Sequence, residues 1–286
     1  MKDSPRRSSP PLRSPEQRRV SPGKRDTPVT IRLGRPAPHV GELIMDRPEA
    51  LNALSTAQAE TLITVCHEVE ADRTIRAAVL SSAVARAFCV GADLKERKDF
   101  TDEQMLAQRA VFVAAFGAVR DLGVPIVAAV HGFALGGGME LALSCDLIVA
   151  DATAVFGLPE VGVGLVPGGG GTQLLSRRIG LGRALDLILT GRRVEASEAH
   201  RLGIADRLVG AGTDRSTALD VAIMIASRSP RSVRAARHAV KQGYGIPLDE
   251  GLALEEHAWR ELALSADRHE GIAAFTEHRA ASWPDE

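Results

Sequence analysis

Long apolar runs are missing: none approaches the roughly 18 residues that a membrane-spanning helix needs. The sequence therefore reads as a soluble protein with no membrane partner. Aromatic residues make up 3% of the 286, too few for a base-stacking surface. Charge of one sign is missing too. The formal net charge is -1, whereas an electrostatic nucleic-acid binder carries a strong basic excess. Cysteine is scarce, and Cys66, Cys89 and Cys145 form no CxxC pair. Such an odd, sparse set fits a reducing compartment, with the thiols acting as small apolar fillers. Several familiar site motifs are also lacking. Thr172 and Gln173, with no lysine, follow the glycines at 168–171, which excludes a phosphate loop. No GxGxxG opens an early helix, no GxSxG elbow occurs, and the histidines show no metal-ligand spacing.

What is present is a 45% hydrophobic chain, enough for one large core or a core with an appendage. Residues 1–28 stand apart. Six prolines and five serines are mixed with eight basic side chains there, and such a segment is expected to be disordered. Its Arg and Ser content resembles a transit peptide, but the prolines and Asp3, Glu16 and Asp26 argue against mitochondrial import. A solvated tail, or a start codon placed too early, on a cytoplasmic protein is the preferred reading.

Beyond the tail, apolar runs alternate with helical patterns. Strands are expected at 40–45, 77–81, 126–130 and 147–150. Helices are expected from the N-cap Ser55 through 70, then at 102–122, 136–144, 174–179 and 183–190. This alternation implies an α/β core over 29–215. The strand signals then stop, and 216–286 reads as a helical appendage.

The most informative stretch is His131-Gly-Phe-Ala-Leu-Gly-Gly-Gly-Met-Glu-Leu-Ala. Glycines after a strand turn the backbone sharply and bring its amides close to a ligand at a helix N-terminus. A developing oxyanion could sit there, although a tight packing turn accounts for the same glycines. Glu140 falls in the first turn of that helix, with Leu141, Ala142 and Leu143 beside it. Glu160 lies between Phe156-Gly-Leu-Pro and Val161-Gly-Val-Gly-Leu. Two acids in apolar surroundings, each after a strand and turn, can converge and divide acid and base work.

These residues resemble the crotonase family, the enoyl-CoA hydratase/isomerase superfamily, from about residue 31 to 279. The resemblance rests on Ala87-Phe-Cys-Val-Gly-Ala-Asp-Leu-Lys, on Gly132-Phe-Ala-Leu-Gly-Gly-Gly-Met-Glu-Leu-Ala, and on Phe156-Gly-Leu-Pro-Glu through Pro167-Gly-Gly-Gly-Gly-Thr-Gln. It implies a spiral of ββα units followed by a helical trimerisation region, assembled as a homotrimer or a dimer of trimers. It implies an oxyanion hole from the amides of Ala92 and Gly137, and a water held by Glu140 and Glu160 with help from the Gly168 amide. Glu140 would activate the water and Glu160 would deliver the proton to carbon. No cofactor is implied, coenzyme A being part of the substrate. Keeping both acids favours a hydratase acting on a trans-2-enoyl-CoA in fatty-acid or branched-chain acyl-CoA catabolism. A double-bond isomerase, which commonly keeps only the acid at the Glu160 position, or another CoA-thioester enzyme, is the alternative. A scaffold that kept the fold without the chemistry is the further contrast.

Within the family the sequence is similar to methylglutaconyl-CoA hydratase-like members. One of them binds RNA through a lysine-rich helix. The matching segment here, 55–76, has no lysine and carries Glu60, Glu68, Glu70 and Asp72, so no nucleic-acid partner is expected. His131 reads as structural, and Asp93 and Asp146 as turn and interface acceptors.

Ala50, Val90 and Lys95 match positions that meet coenzyme A, with Phe275 and His278 reaching it from a neighbouring subunit. Glu49 and His278 stand where lysines are common, so binding of the CoA tail is expected to be weak or rearranged. Dissociation constants for CoA and 3′-dephospho-CoA check this, and equal values would remove any specific phosphate contact.

Overall fold

Strands buried on both faces read as unbroken apolar runs rather than alternating ones. The runs at 40–45, 77–82 and 126–130 lie side by side at the centre of a six-stranded sheet. The structure is a computed structural model and describes residues 30–284; the tail read as disordered, 1–28, lies outside the described residues. The strands are β1 (Ile31–Ala37), β2 (Val40–Met45), β3 (Ala77–Ser82), β4 (Ala87–Cys89), β5 (Ile126–Val130), β6 (Phe133–Leu135), β7 (Leu147–Asp151), β8 (Val155–Gly157), β9 (Val194–Glu195) and β10 (Arg207–Val209). The helices are α1 (Thr56–Ala71), α2 (Leu94–Arg97), α3 (Asp102–Arg120), α4 (Gly137–Ser144), α5 (Gly171–Ile179), α6 (Leu181–Thr190), α7 (Ala196–Leu202), α8 (Asp214–Ala226), α9 (Pro230–Gly243), α10 (Leu248–Ala263) and α11 (Ala266–Thr276). Short 3-10 turns occupy Pro48–Ala50 and Glu160–Val163.

The large sheet runs β1-β2-β3-β5-β7-β10. It is parallel except for the β1–β2 hairpin. Alternate side chains divide its two faces. Val40, Ala77, Val79, Val127, Ala129 and Val149 pack with Ala218, Val221, Ala222 and Ala226 of α8. Leu43, Met45, Ala78, Leu80, Ala128 and Ile148 belong to a second and larger apolar cluster with α1 and α3. Local signals start those two helices. Ser55 accepts from the Gln58 amide, and Thr101 and Gln104 form a reciprocal capping box.

A second sheet, β4-β6-β8-β9, is parallel apart from its edge strand β9. None of its strands was expected from sequence, because two or three residues are too few for a period-2 signal to register. β1 was missed for another reason. It is an edge strand with Gly34 and Pro36 and with mostly solvent-facing positions, so its signal is polar. The expected division after residue 215 cuts just inside α8, whose buried face covers the large sheet. Apart from the short α2, the helices outside both apolar clusters begin with α9, and α10 buries no residue.

His131 bolts the two halves together just before the Gly-rich turn. Its Nε2 lies 3.0 Å from the Val84 carbonyl and its Nδ1 lies 2.8 Å from Asp214 Oδ2, at the start of α8. A carbonyl only accepts, so Nε2 carries a proton, and the carboxylate favours a second one on Nδ1. The hydrogen bond to Asp214 raises the His131 pKa against the opposing effect of burial, with smaller help from the Val84 carbonyl and the charges of Asp214 and Asp151. A raised folded-state value means that the stabilisation is complete below the unfolded histidine's pKa. It is lost as pH rises through the folded one. His131→Gln is therefore expected to lower the melting temperature more at pH 6 than at pH 9, as followed by thermal denaturation.

Candidate active site

In parallel sheets ligands gather at the carboxyl ends of strands. β4, β6 and β8 are neighbours, and the chain leaving each one carries part of the candidate site: Gly91 and Ala92 after β4, Gly136 and Gly137 after β6, and Glu160 after β8. Leu54 N donates to Gly91 O at 2.7 Å and Asp93 N donates to Leu54 O at 2.8 Å, which clamps Ala92 from both sides. Asp93 is held in turn. It accepts from the amides of Lys95 and Glu96 and pairs with Arg47 Nη1 at 2.8 Å. Asp93 is thus the turn acceptor expected from sequence.

The N–H groups of Ala92 and Gly137 donate to no acceptor among the described residues. The loops that carry them touch, because a Cβ on Gly91 would lie 3.1 Å from Gly137 N. Two free amides from different elements thus lie on adjoining loops. Gly138 makes it possible: a Cβ there would overlap the Cys89 carbonyl, so only glycine lets α4 seat against β4. Gly136 has φ 52° in the left-handed region, and its Cβ position is 3.1 Å from Glu160 Oε1.

Glu140 is 3% exposed. Its Oε1 accepts from Gly169 N at 2.6 Å and from Gly171 N at 2.8 Å. Burial raises its pKa, while the amides of Gly171 and Gly169 and the charge of Arg109 oppose that rise. Glu160 is half-buried, and its Oε2 is enclosed without a hydrogen-bond partner. Burial pushes its pKa up to about 7, with its own amide opposing and the charge on Glu140 adding to the rise. An acid whose pKa is pushed up to about 7 therefore feels the charge of a second carboxyl group that is tied down by amides.

Gly168, expected to hold water, has an amide that donates to no acceptor among the described residues, immediately before the glycine that anchors Glu140. Sequence reasoning missed that anchoring role of Gly169 and Gly171. It also missed Phe116, a buried ring that walls the site between Gly137 and Gly169. The i, i+4 pair Phe112 and Phe116 on α3 carried the signal, but it reads equally as ordinary core. Ala50, Val90 and Lys95 lie on the flank of the Leu54–Ala92 bridge. Phe275 and His278 are not brought to the site within one chain. Phe275 lines a separate groove with Ile223 of α8 and Trp283. Among the described residues no three His, Cys, Asp or Glu side chains group as metal ligands.

Free amides and two carboxyl groups, one buried and one half-buried, thus gather where neighbouring strands end. The chain belongs to the enoyl-CoA hydratase/isomerase family, whose sequence profile matches residues 37–286. A putative enoyl-CoA hydratase/isomerase of Bacillus subtilis is 40% identical over 243 residues, which is 85% of this chain and 94% of that protein. A short-chain-enoyl-CoA hydratase of Clostridium acetobutylicum is 37% identical over 84% of this chain and 92% of its own length. The crystal structure of an enoyl-CoA hydratase from Bacillus anthracis superposes with a TM-score of 0.88. That match is at 37% identity and covers 90% of this chain and all of the other.

Gly138→Ala is expected to push α4 away from β4 and to spoil the Gly137 amide. Loss of one oxyanion donor typically costs about a hundredfold or more in kcat. Steady-state kinetics beside a melting curve checks this. Gly182→Ala, where no atom lies within 4 Å of the new methyl, should leave kcat unchanged.

Proposed function

We infer that the protein is an enoyl-CoA hydratase, adding water across the 2,3 double bond of a trans-2-enoyl-CoA thioester. The observation that carries this reading is that both Glu140 and Glu160 are present and enclosed in one site, beside the two free amides. Isomerisation moves one proton and needs one such group, whereas hydration must both activate water and protonate carbon.

In the proposed sequence the thioester carbonyl accepts from the N–H groups of Ala92 and Gly137. Glu140, the ionised partner, takes a proton from a water that the Gly168 amide helps to hold. The water oxygen bonds to the β-carbon, and the electron pair of the double bond moves into an enolate that the amides stabilise. Glu160 then gives its proton to the α-carbon, forming the 3-hydroxyacyl thioester. The proton taken up by Glu140 returns to Glu160 through solvent and resets the pair. The two acids titrate as one coupled unit, so each role belongs to the pair as much as to the residue. The thioester carbonyl is itself the electron sink, so the reading needs no metal or redox cofactor.

The same reading makes the exposed apolar residues of the C-terminal helices, among them Leu248, Leu252, Trp259 and Leu264, a surface for self-association as a homotrimer or a dimer of trimers. Phe275 and His278 of a neighbouring copy would then meet the CoA tail beside Ala50, Val90 and Lys95. No described helix is long and apolar enough to cross a membrane, and a cytoplasmic location accords with that reading.

The test is hydration of crotonyl-CoA, followed by loss of the enoyl absorbance. Glu140→Gln and Glu160→Gln are each expected to lower kcat by roughly 10²–10⁴ while leaving thioester binding nearly intact. Activity that survives in both variants would sink the assignment.

A further inference from the structure

Reading the carboxylates as base and acid leaves one nearby charge without a role. Arg109 lies on α3 and is exposed. It has no ion-pair partner and donates to no acceptor among the described residues. It is nevertheless placed with care. Its Cζ and Nη1 lie 3.4 Å from where a Cβ on Gly168 would be, so the guanidinium rests on that glycine. The next residue, Gly169, gives its amide to Glu140 Oε1. Cation and carboxylate therefore flank successive residues of one turn. Glu160 meets a different turn, its Oε1 against Gly136.

That disposition is asymmetric. The charged and polar groups that face Glu140 can be taken element by element. α3 brings Arg109; the turn leading into α5 brings the amides of Gly169, Gly170 and Gly171; the 3-10 turn after β8 brings Glu160. α2 adds Arg97 and Glu96, whose opposite charges act on each other, and Arg97 also feels the like charge of Arg109. Arg97 is already engaged, donating to Gln108 Oε1 at 2.7 Å and lying over the Phe112 ring. The uncommitted full positive charge on this side of the pair is therefore Arg109.

We propose that Arg109 is a positioning residue of the carboxylate pair: set against Gly168, its guanidinium holds the negative charge on Glu140 and leaves the shared proton on Glu160. The proposal rests on the hydratase reading for its kinetic meaning. Two enclosed carboxylates share a proton that can sit on either one. With the proton on Glu140 the base is neutral and the acid is empty, and water addition stops. The amides of Gly169 and Gly171 begin the discrimination, and Arg109 adds a full charge to it.

The experiment compares the wild-type chain with Arg109→Met and Arg109→Lys. The acid limb of kcat/KM for crotonyl-CoA reports protonation of Glu140 in the free enzyme. It is expected to move up by about half a pH unit or more in Arg109→Met and to return in Arg109→Lys. Added salt should move the wild-type limb the same way, because screening weakens an exposed cation, and should leave Arg109→Met in place. Isotope-edited NMR of the Glu140 carboxyl in the ligand-free protein, assigned with Glu140→Gln, reads the same displacement without turnover. A Glu140 titration that is unmoved in Arg109→Met overturns the proposal, as does a fall in kcat at every pH with the limb in place. Absence of turnover with the titration displaced would instead overturn the hydratase reading and support the action of Arg109 on Glu140.

Discussion

The site depends on one backbone contact, the seating of Gly138 against the carbonyl of Cys89. Any side chain at that position would hold α4 away from β4. With glycine there, the first turn of the helix meets the end of the strand. The free N–H groups of Ala92 and Gly137, which belong to different elements, then lie on adjoining loops. Nothing in this arrangement requires a flexible loop. The donors sit at the ends of regular elements whose other hydrogen bonds are already made, so they cost little reorganisation when charge develops. Glu140 follows from the same contact, because it lies two residues further along α4.

The second constraint is electrostatic. Enclosing a carboxylate is expensive unless it is hydrogen-bonded, and the two acids solve this differently. Glu140 accepts two backbone amides on one oxygen, interactions that hold the ionised form. Glu160 has an enclosed oxygen without a partner, an environment that favours the neutral acid and takes its pKa to about 7. Burial raises the pKa of both acids, but the amides on Glu140 oppose that rise, so two groups of one chemical type are held unequally, a condition for dividing acid and base work. Gly169 and Gly171 thus act through their amides, which hold a carboxylate in place rather than a phosphate.

The parts legible in the sequence are those whose signal is local. Ser55 as N-cap of α1, the apolar runs of β2, β3 and β5, and the helix that begins at the glycines each carry their own pattern. Glu140 and Glu160 were legible because an acid amid apolar neighbours departs from a solvated surface. The small sheet was not legible, since β4, β6 and β8 have three residues each and draw their stability from pairing rather than propensity. The role of Gly169 and Gly171 was hidden for a related reason. A backbone amide leaves no mark of its own in a sequence, and its target lies about thirty residues away in the chain. The place of α8 was equally non-local, because its Ala-rich face acquires meaning only once the large sheet is there to receive it.

The segment from Leu94 to Gln108 is tied to the same frame. Glu96 accepts from the Thr56 amide at 3.0 Å, and Gln108 Nε2 bridges Thr56 Oγ1 and Glu96 Oε2 at 2.8 Å each. These bonds fasten α2 and the exposed part of α3 to the start of α1. The entry to α1 is itself fixed by Leu54, the residue that clamps Ala92. Residues pointing outward from this segment, such as Leu94 and Leu106, are free of those bonds and exposed. Substitution of such outward-facing side chains therefore leaves the bonds that hold Ala92 in place. Cutting the Glu96–Gln108–Thr56 network would instead loosen α2, α3 and the start of α1 together, because they share one mechanical support.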